Sequence, residues 1–441
     1  MTLGPRLLAA LAATDLAQPG RRALVAVSGG ADSVALLDLL VATRSAHGLD
    51  LVAAHVDHGI HPDSATVADA VAELAGRLGV PLVRGRLRLG GGAGETVARL
   101  RRHRWLESAR RRARADCIVL AHHADDQAET VLMRMLRGSG PAGLAGIRPV
   151  RGRLVRPLLG TSRAELRAHC AARGLPWWDD PANADPAHLR SWLRGNLLPA
   201  IRARVPTADA ALLRVAAAAA DDSAAWDAAL DLLPGLAPRG EPGGASVVAA
   251  VLAGYDSELA RAVVRGLARR AGCPLGPARA ARVVAWAAGA VSGGSLPLGG
   301  PWLAELAFAR LHVVRRPAAP PPAARLDGVS GELAWGAWRL SWRMEPAPTT
   351  QPRDGWIAWV IPGGVTLRSC MAGDRLHPLG GLGRRLVVRE MQDRQVPRSR
   401  RAGWPVLVRE AEVLWVPGVC RAAAAVPVEG TDALRVDVAH A

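Results

Sequence analysis

The chain has 441 residues, half of them apolar, with 56 basic and 39 acidic side chains and a net charge of +17. Every basic residue is an arginine, since no lysine occurs anywhere. That length exceeds one ordinary domain, so two or three are expected, and the charge favours a polyanionic partner, nucleic acid first. Cys117, Cys170, Cys273, Cys370 and Cys420 stand far apart with no C-x-x-C pair. The spacing excludes a disulfide framework, a zinc ribbon and an iron–sulfur site, and fits a reducing cytoplasm. No apolar stretch is long enough to span a membrane. The short run Leu7 to Ala13, followed by Asp15, reads as a packing helix rather than a signal peptide.

Leu24 to Val27 reads as a buried strand and Val34 to Leu40 as an apolar-faced helix. Between them lies Ser28-Gly29-Gly30-Ala31-Asp32-Ser33. Glycines there let the backbone turn its N–H groups outward at a helix N-terminus, which makes an anion site. Ser28 and Ser33 can donate hydroxyl hydrogen bonds. Asp32 cannot bind phosphate directly, so its place is as a magnesium ligand. A Walker loop is excluded because it needs a lysine.

Further strands are expected at Leu51–Val56, Pro81–Arg86 and Cys117–Ala121, with helices at Ala65–Leu78 and Thr96–Ala113 between them. The alternation predicts a parallel α/β sheet over residues 1–205, whose ligands bind beyond the strand carboxyl ends. From Pro206 to about Arg316 the composition shifts to Ala, Leu and Arg with helical periodicity, as in Ala208–Leu232, which reads as a helical domain over 206–325. A proline spacer begins at Pro317. The Trp alternation of Leu333 to Arg343 suggests a hairpin, and 326–355 reads as hairpin plus linker. A small α+β unit follows over 356–441, with strand-like runs at Leu386–Arg389 and Val413–Val416.

Three constellations carry chemistry. The second strand ends in His55-Val56-Asp57-His58; alternation points His55 and Asp57 the same way, for nucleotide contact, packing or a metal. The fourth ends in His122-His123-Ala124-Asp125-Asp126-Gln127-Ala128-Glu129-Thr130. Asp125, Asp126 and Glu129 fall within one helical turn. Clustered carboxylates repel, so they call for a cation, either magnesium, a substrate ammonium or both; the competing reading is a helix N-cap cluster. His123 can assist proton transfer or serve the fold. Arg99 and Arg102 share one helix face, suited to a phosphate or a developing negative charge, or to plain solvation. Arg137, in Leu136-Arg137-Gly138-Ser139-Gly140, sits in a glycine loop that can hold phosphate or simply end a helix.

The SGGADS segment resembles the signature of the PP-loop ATP pyrophosphatases. The ordered set SGGADS, HVDHG, ARLRRHRW, HHADDQAET, LRGSG, RPLL, DDPAN and LRSWLRGNLLP resembles the tRNA(Ile)-lysidine synthetase family over residues 24–199. The closing unit is similar to that family's C-terminal domain at Leu367-Arg368, Gly373-Asp374-Arg375-Leu376, Val396-Pro397 and Trp415-Val416-Pro417-Gly418. The chain departs from the family pattern in three places. His103 stands where a tyrosine is usual, Ser191 where an asparagine is usual, and Arg384 and Arg385 where lysines are usual. Charge, and so phosphate contact, survives the last change.

The resemblance implies ATP-dependent joining of free lysine to the wobble cytidine of a CAU-anticodon isoleucine tRNA, through an adenylated base. It implies ATP held by Ser28, Gly29, Gly30, Ala31, Asp32, Ser33 and His55, and magnesium held by Asp32 and Asp126. Lysine would be held by Asp125, Glu129 and His123. Catalysis would involve Asp32, Asp125, Asp126, Glu129, Arg99 and Arg102, and tRNA would contact Arg137, Arg190, Arg194, Arg384, Arg385, Arg398 and Arg401. A tRNA thiolase usually needs paired cysteines, which are missing here. A vestigial RNA-binding fold has no reason to keep costly like charges together. The sequence leaves the oligomeric state open, with a dimer as one option.

Overall fold

The computed structural model describes residues 2–57, 64–87, 95–179, 189–241, 243–316, 319–352 and 355–440. His58 of the second-strand motif, most of the DDPAN motif and the start of the proline spacer lie outside them. The chain divides into two compact units, Met1–Ser223 and Ala224–Ala441.

The first unit is built on a six-stranded sheet of order β3-β2-β1-β4-β6-β5. Its strands are β1 (Arg22–Ala26), β2 (Asp50–Asp57), β3 (Leu82–Arg86), β4 (Cys117–Val119), β5 (Val150–Arg151) and β6 (Leu154–Val155). All pairings are parallel except β5 with β6. Its helices are α1 (Leu3–Ala12), α2 (Ala31–Ala42), α3 (Arg44–His47), α4 (Ser64–Arg77), α5 (Glu95–Arg112), α6 (Ala124–Leu136), α7 (Pro141–Leu144) and α8 (Arg163–Ala172). Strand alternation feeds two cores. Leu24, Ala54 and Ile118 pack with Leu106 and Ala109 of α5. Val25, Leu51 and Val119 pack with α2, α4 and α8 on the other face. Burial on both faces explains why these strands read as unbroken apolar runs. The strand order reverses between β1 and β4, and the crevice at such a switch point is where ligands bind in open α/β sheets.

After α8 the chain re-enters as α9 (Leu189–Trp192), a π-helical turn (Leu193–Leu197), α10 (Leu198–Arg204) and α11 (Ala208–Leu232). Such π turns are rare and concentrate at functional sites.

In the second unit the helices expected after Pro206 are joined by a sheet that helical periodicity does not reveal. Helices α12 (Ser257–Ala271) and α13 (Pro277–Gly289) pack through Val263, Leu267, Ala280 and Val283 on a five-stranded antiparallel sheet formed within 239–315. The final segment holds a five-stranded, a four-stranded and a two-stranded sheet. They enclose a core that includes Trp338, Leu340, Leu367, Val406, Trp415 and Val436. The Trp-rich hairpin pairs Ser330–Trp335 with Trp338–Pro346. Leu386–Arg389, expected as a strand, is one only at Arg385–Leu386. Val387–Asp393 is a helix, because Val387, Glu390 and Met391 recur at helical spacing and all are buried.

Candidate active site

The switch-point crevice is a cleft of about 710 Å3, within the size range of small-molecule sites. The loop after β1 forms one wall. Gly29 takes φ +92°, and its carbonyl accepts the Trp178 N–H at 3.0 Å. The Ser28 N–H donates to Ser33 Oγ at 3.0 Å, and Ser33 Oγ donates to the Gly30 carbonyl at 2.9 Å. The loop is thus pinned at the N-terminus of α2, where Gly30 is the N-cap without a side-chain cap and first-turn N–H groups are left for an anion. Ala31 and Asp32 open the helix. Asp32 faces the cleft. Its Oδ2 lies 3.4 Å from His123 Nε2, and its buried Oδ1 has no partner.

The β4 end forms the opposite wall. His123 is the N-cap of α6 in a reciprocal capping box. Its Nδ1 accepts the Asp126 N–H at 3.4 Å, and Asp126 Oδ2 accepts the His123 N–H at 3.1 Å. The N-cap reading of the acid cluster is therefore part of the truth, for Asp126 alone. The cation demanded by the cluster is met first by the protein itself. Arg190 Nε donates to Glu129 at 2.7 Å and its NH2 donates to Asp126 at 2.7 Å. Arg194 donates to both Glu129 oxygens, at 2.5 and 3.0 Å. Asp125 accepts the Arg163 backbone N–H at 2.8 Å and Arg202 NH2 at 2.9 Å. Arg190 and Arg194, expected on tRNA, are thus tied to site carboxylates and line the cleft. Glu129 is 1% exposed with both oxygens engaged, so an ammonium reaching it must share the carboxylate with guanidinium groups.

The two adjacent histidines are driven apart. Burial depresses the pKa of His122 to about 4, with Arg156, Arg190 and Arg99 adding to the fall against the pull of Asp126. Burial also pulls His123 down, but the hydrogen bond to Asp32 and the charges of Asp126, Asp32 and Asp125 outweigh it, and the net shift is upward. A second proton on His123 gives up its cap on Asp126 and gains three carboxylates. Asp126 is pushed up by burial, yet His123, Arg190 and His122 bring it below the ordinary carboxylate range. Neighbouring groups with opposed shifts are the usual mark of acid–base assignments.

His55, on β2, is buried, and its Nδ1 lies 2.9 Å from the Val27 carbonyl. A carbonyl only accepts, so Nδ1 carries the proton and Nε2 is left as an acceptor. Burial lowers its pKa. His55 and Asp57 both line the cleft, as alternation predicts, and so do Arg99, Arg102 and His103 of α5. Arg137 lies exposed at the end of α6, outside the cleft lining.

The remaining expected tRNA residues belong to the second unit. Arg384 is exposed, while Arg385 pairs with Glu390 at 2.6 Å and Asp393 at 3.1 Å. Arg398 and Arg401 line a cavity of about 310 Å3 with Glu305. The sequence reading misses Trp178, which pins the loop, and Arg202, which holds Asp125. Neither sits in a local pattern that signals its partner.

Residues 6–201 match the PP-loop domain family, and residues 365–438 match the TilS substrate C-terminal domain. A tRNA(Ile)-lysidine synthase of Symbiobacterium thermophilum is 36% identical over 96% of this chain and 94% of its own length. This chain belongs to the tRNA(Ile)-lysidine synthase family. A relative of the same name from Solibacter usitatus is 33% identical over 90% of this chain and 93% of its own. One from Methylococcus capsulatus is 32% identical over 91% and 92%. The PP-loop domain makes the first unit an ATP-binding one. Among the described residues no helix is long and apolar enough to cross a membrane.

Proposed function

We propose that this protein joins free lysine to the wobble cytidine of a CAU-anticodon isoleucine tRNA, consuming ATP and releasing AMP and pyrophosphate. One observation carries the reading in a chain of this family. A phosphate-type loop, the carboxylates of Asp32 and Asp126 and a split histidine pair line one cleft at the sheet's switch point. In the first step the cytidine 2-keto oxygen attacks the α-phosphorus, and the bond to the β-phosphate oxygen breaks. In the second, the neutral ε-amine of lysine attacks C2 of the base, and the C–O bond to AMP breaks.

The residues divide the work by chemistry. Backbone N–H groups of Gly29 to Ser33 and the N-terminus of α2 receive the leaving pyrophosphate. Asp32 is the carboxylate that fits magnesium, because its buried Oδ1 is unpartnered. Magnesium, when bound, screens the phosphate charges and fixes their orientation. Asp126 fits that role less well, since its oxygens already accept from His123 N–H and Arg190. Among the described residues no group of three His, Cys, Asp or Glu side chains is arranged to hold a metal by itself, so magnesium held by Asp32 would draw its other ligands from the phosphates. Arg99 and Arg102, projecting from α5 into the cleft, stabilise charge that grows during adenylation. His55 offers its Nε2 to the nucleotide base. Asp125, Glu129 and His123 frame the lysine site, and His123, whose pKa Asp32, Asp126 and Asp125 raise, is the better proton acceptor for the ammonium. Arg137, Arg384, Arg385, Arg398 and Arg401 grip tRNA phosphate.

The test is direct. The protein is incubated with ATP, labelled lysine and CAU-bearing isoleucine and methionine tRNA transcripts. Label should enter the isoleucine transcript alone, with one pyrophosphate released per lysine. No incorporation, or equal incorporation into both, overturns the reading.

A further inference from the structure

The antiparallel hairpin of β5 and β6 forms the edge of the first unit's sheet beyond β4. Leu154 packs with Leu106 and Ile118 under α5, while Val155 enters the opposite core. Alternation then sends Arg156 to the α5 side. Arg156 is only 8% exposed. One of its nitrogens donates to the Arg148 carbonyl at 2.8 Å, and its Nε has no partner. Burial, then the charges of Arg151 and Arg99, push its pKa down to about 10.

The same cations bear on their other neighbours. Arg134 is lowered by burial and then by Arg151 and Arg148. His103 is lowered by burial and then by Arg102, Arg99, Arg156 and Arg151. Among the described residues Arg99, Arg148 and Arg151 form no ion pair. Arg148 and Arg151 are exposed and stand near the buried Arg156, and Arg151 and Arg156 both act on the His103 that lines the cleft. The buried Arg156, with its Nε unpartnered, is costly unless an anion completes it, and the exposed Arg148 and Arg151 are free to share that anion. ATP phosphates already have the loop after β1 and the start of α2. A splayed base delivered to the cleft needs its flanking backbone held outside.

We propose that Arg148, just before the β5–β6 hairpin, and Arg151 within it, backed by Arg156 and Arg99, bind backbone phosphates of the RNA strand that carries the reacting base into the cleft. This rests on the reading of RNA as substrate, but its test does not need turnover. CAU-bearing isoleucine tRNA transcript is titrated onto the full-length protein between 50 and 300 mM salt, and ATP affinity is measured separately by equilibrium dialysis. Arg148→Ala with Arg151→Ala should weaken tRNA binding at least about tenfold near 0.1 M salt and cut the log K versus log salt slope by about 1.5 to 2. ATP affinity should change by less than about twofold. The Arg148→Lys with Arg151→Lys variant should restore most of the tRNA affinity, because phosphate contact needs charge more than the guanidinium fork. An unchanged salt slope overturns the proposal, as does a loss of ATP affinity with tRNA affinity intact. A wild-type protein that binds tRNA with this slope but incorporates no lysine would sink the proposed reaction and leave the phosphate site standing.

Discussion

Gly29→Ala tests how the loop is built. Gly29 sits at φ +92°, and a Cβ there would overlap Val67 Cγ1 and lie 3.5 Å from Val71 Cγ2. The left-handed backbone costs an L-residue about 1–2 kcal/mol. Forcing a methyl into the packed α4 face adds about 1–3 kcal/mol, so the variant should lose about 2–5 kcal/mol locally. Val67→Ala relieves the overlap but not the backbone, and alone it costs about 1–2 kcal/mol for lost burial. The double variant should therefore recover about 1–3 kcal/mol against the sum of the singles. A chain of two units has no single unfolding free energy. The assay is accordingly hydrogen exchange on peptides spanning Arg22–Ala42, read against urea. Strict additivity would refute the overlap, and a Gly29→Ala loss below about 0.5 kcal/mol would refute the whole account.

Asp32→Asn keeps the shape of the loop but removes its acid, and should lower turnover at least about 100-fold with tRNA affinity little changed; retained turnover excludes Asp32 as the magnesium carboxylate. Glu129→Gln leaves Arg190 and Arg194 with half their counter-charge and should raise the lysine KM by at least about tenfold while sparing the ATP KM. Equal effects on both substrates would count against the lysine site. The histidines predict opposite pH signatures. His122 is held neutral to about 4 in the fold against about 6.5 unfolded. The unfolded chain then binds more protons, and stability drains as pH falls from 6.5 to 4, by about 3 kcal/mol at most. His122→Asn should flatten that loss. His123 is shifted upward, so its contribution is full below 6.5 and fades as pH rises through its folded value. His123→Asn should remove that alkaline decline in unfolding experiments.

Much of the catalytic unit was legible because its signals are local. Glycines after an apolar run, a switch to helical period and acids at a helix start each record the conformation of a few consecutive residues. The expected strand at Leu51–Val56 and helix at Ala208–Leu232 appear at Asp50–Asp57 and Ala208–Leu232. The middle sheet was not legible, because strands such as Arg310–Arg315 draw their stability from partners far along the chain. Leu386–Arg389 misled because a short apolar run fits either period, and tertiary burial made the choice.

By itself the sequence determined the phosphate loop, its acid without a lysine, the acid cluster on α6 and an overall field that draws polyanions. These depend on residue type and spacing over a turn or less. Which charge meets which was decided by tertiary structure alone. Glu129 and Arg194 lie 65 positions apart, and nothing local marks them as partners. Reversal of strand order between β1 and β4 put the loop, with Asp32, and Asp126 of α6 in one cleft. The sheet edge then set Arg151 and Arg156 near His103 of that cleft, where a surplus of arginine that reads as bulk composition acquires a place.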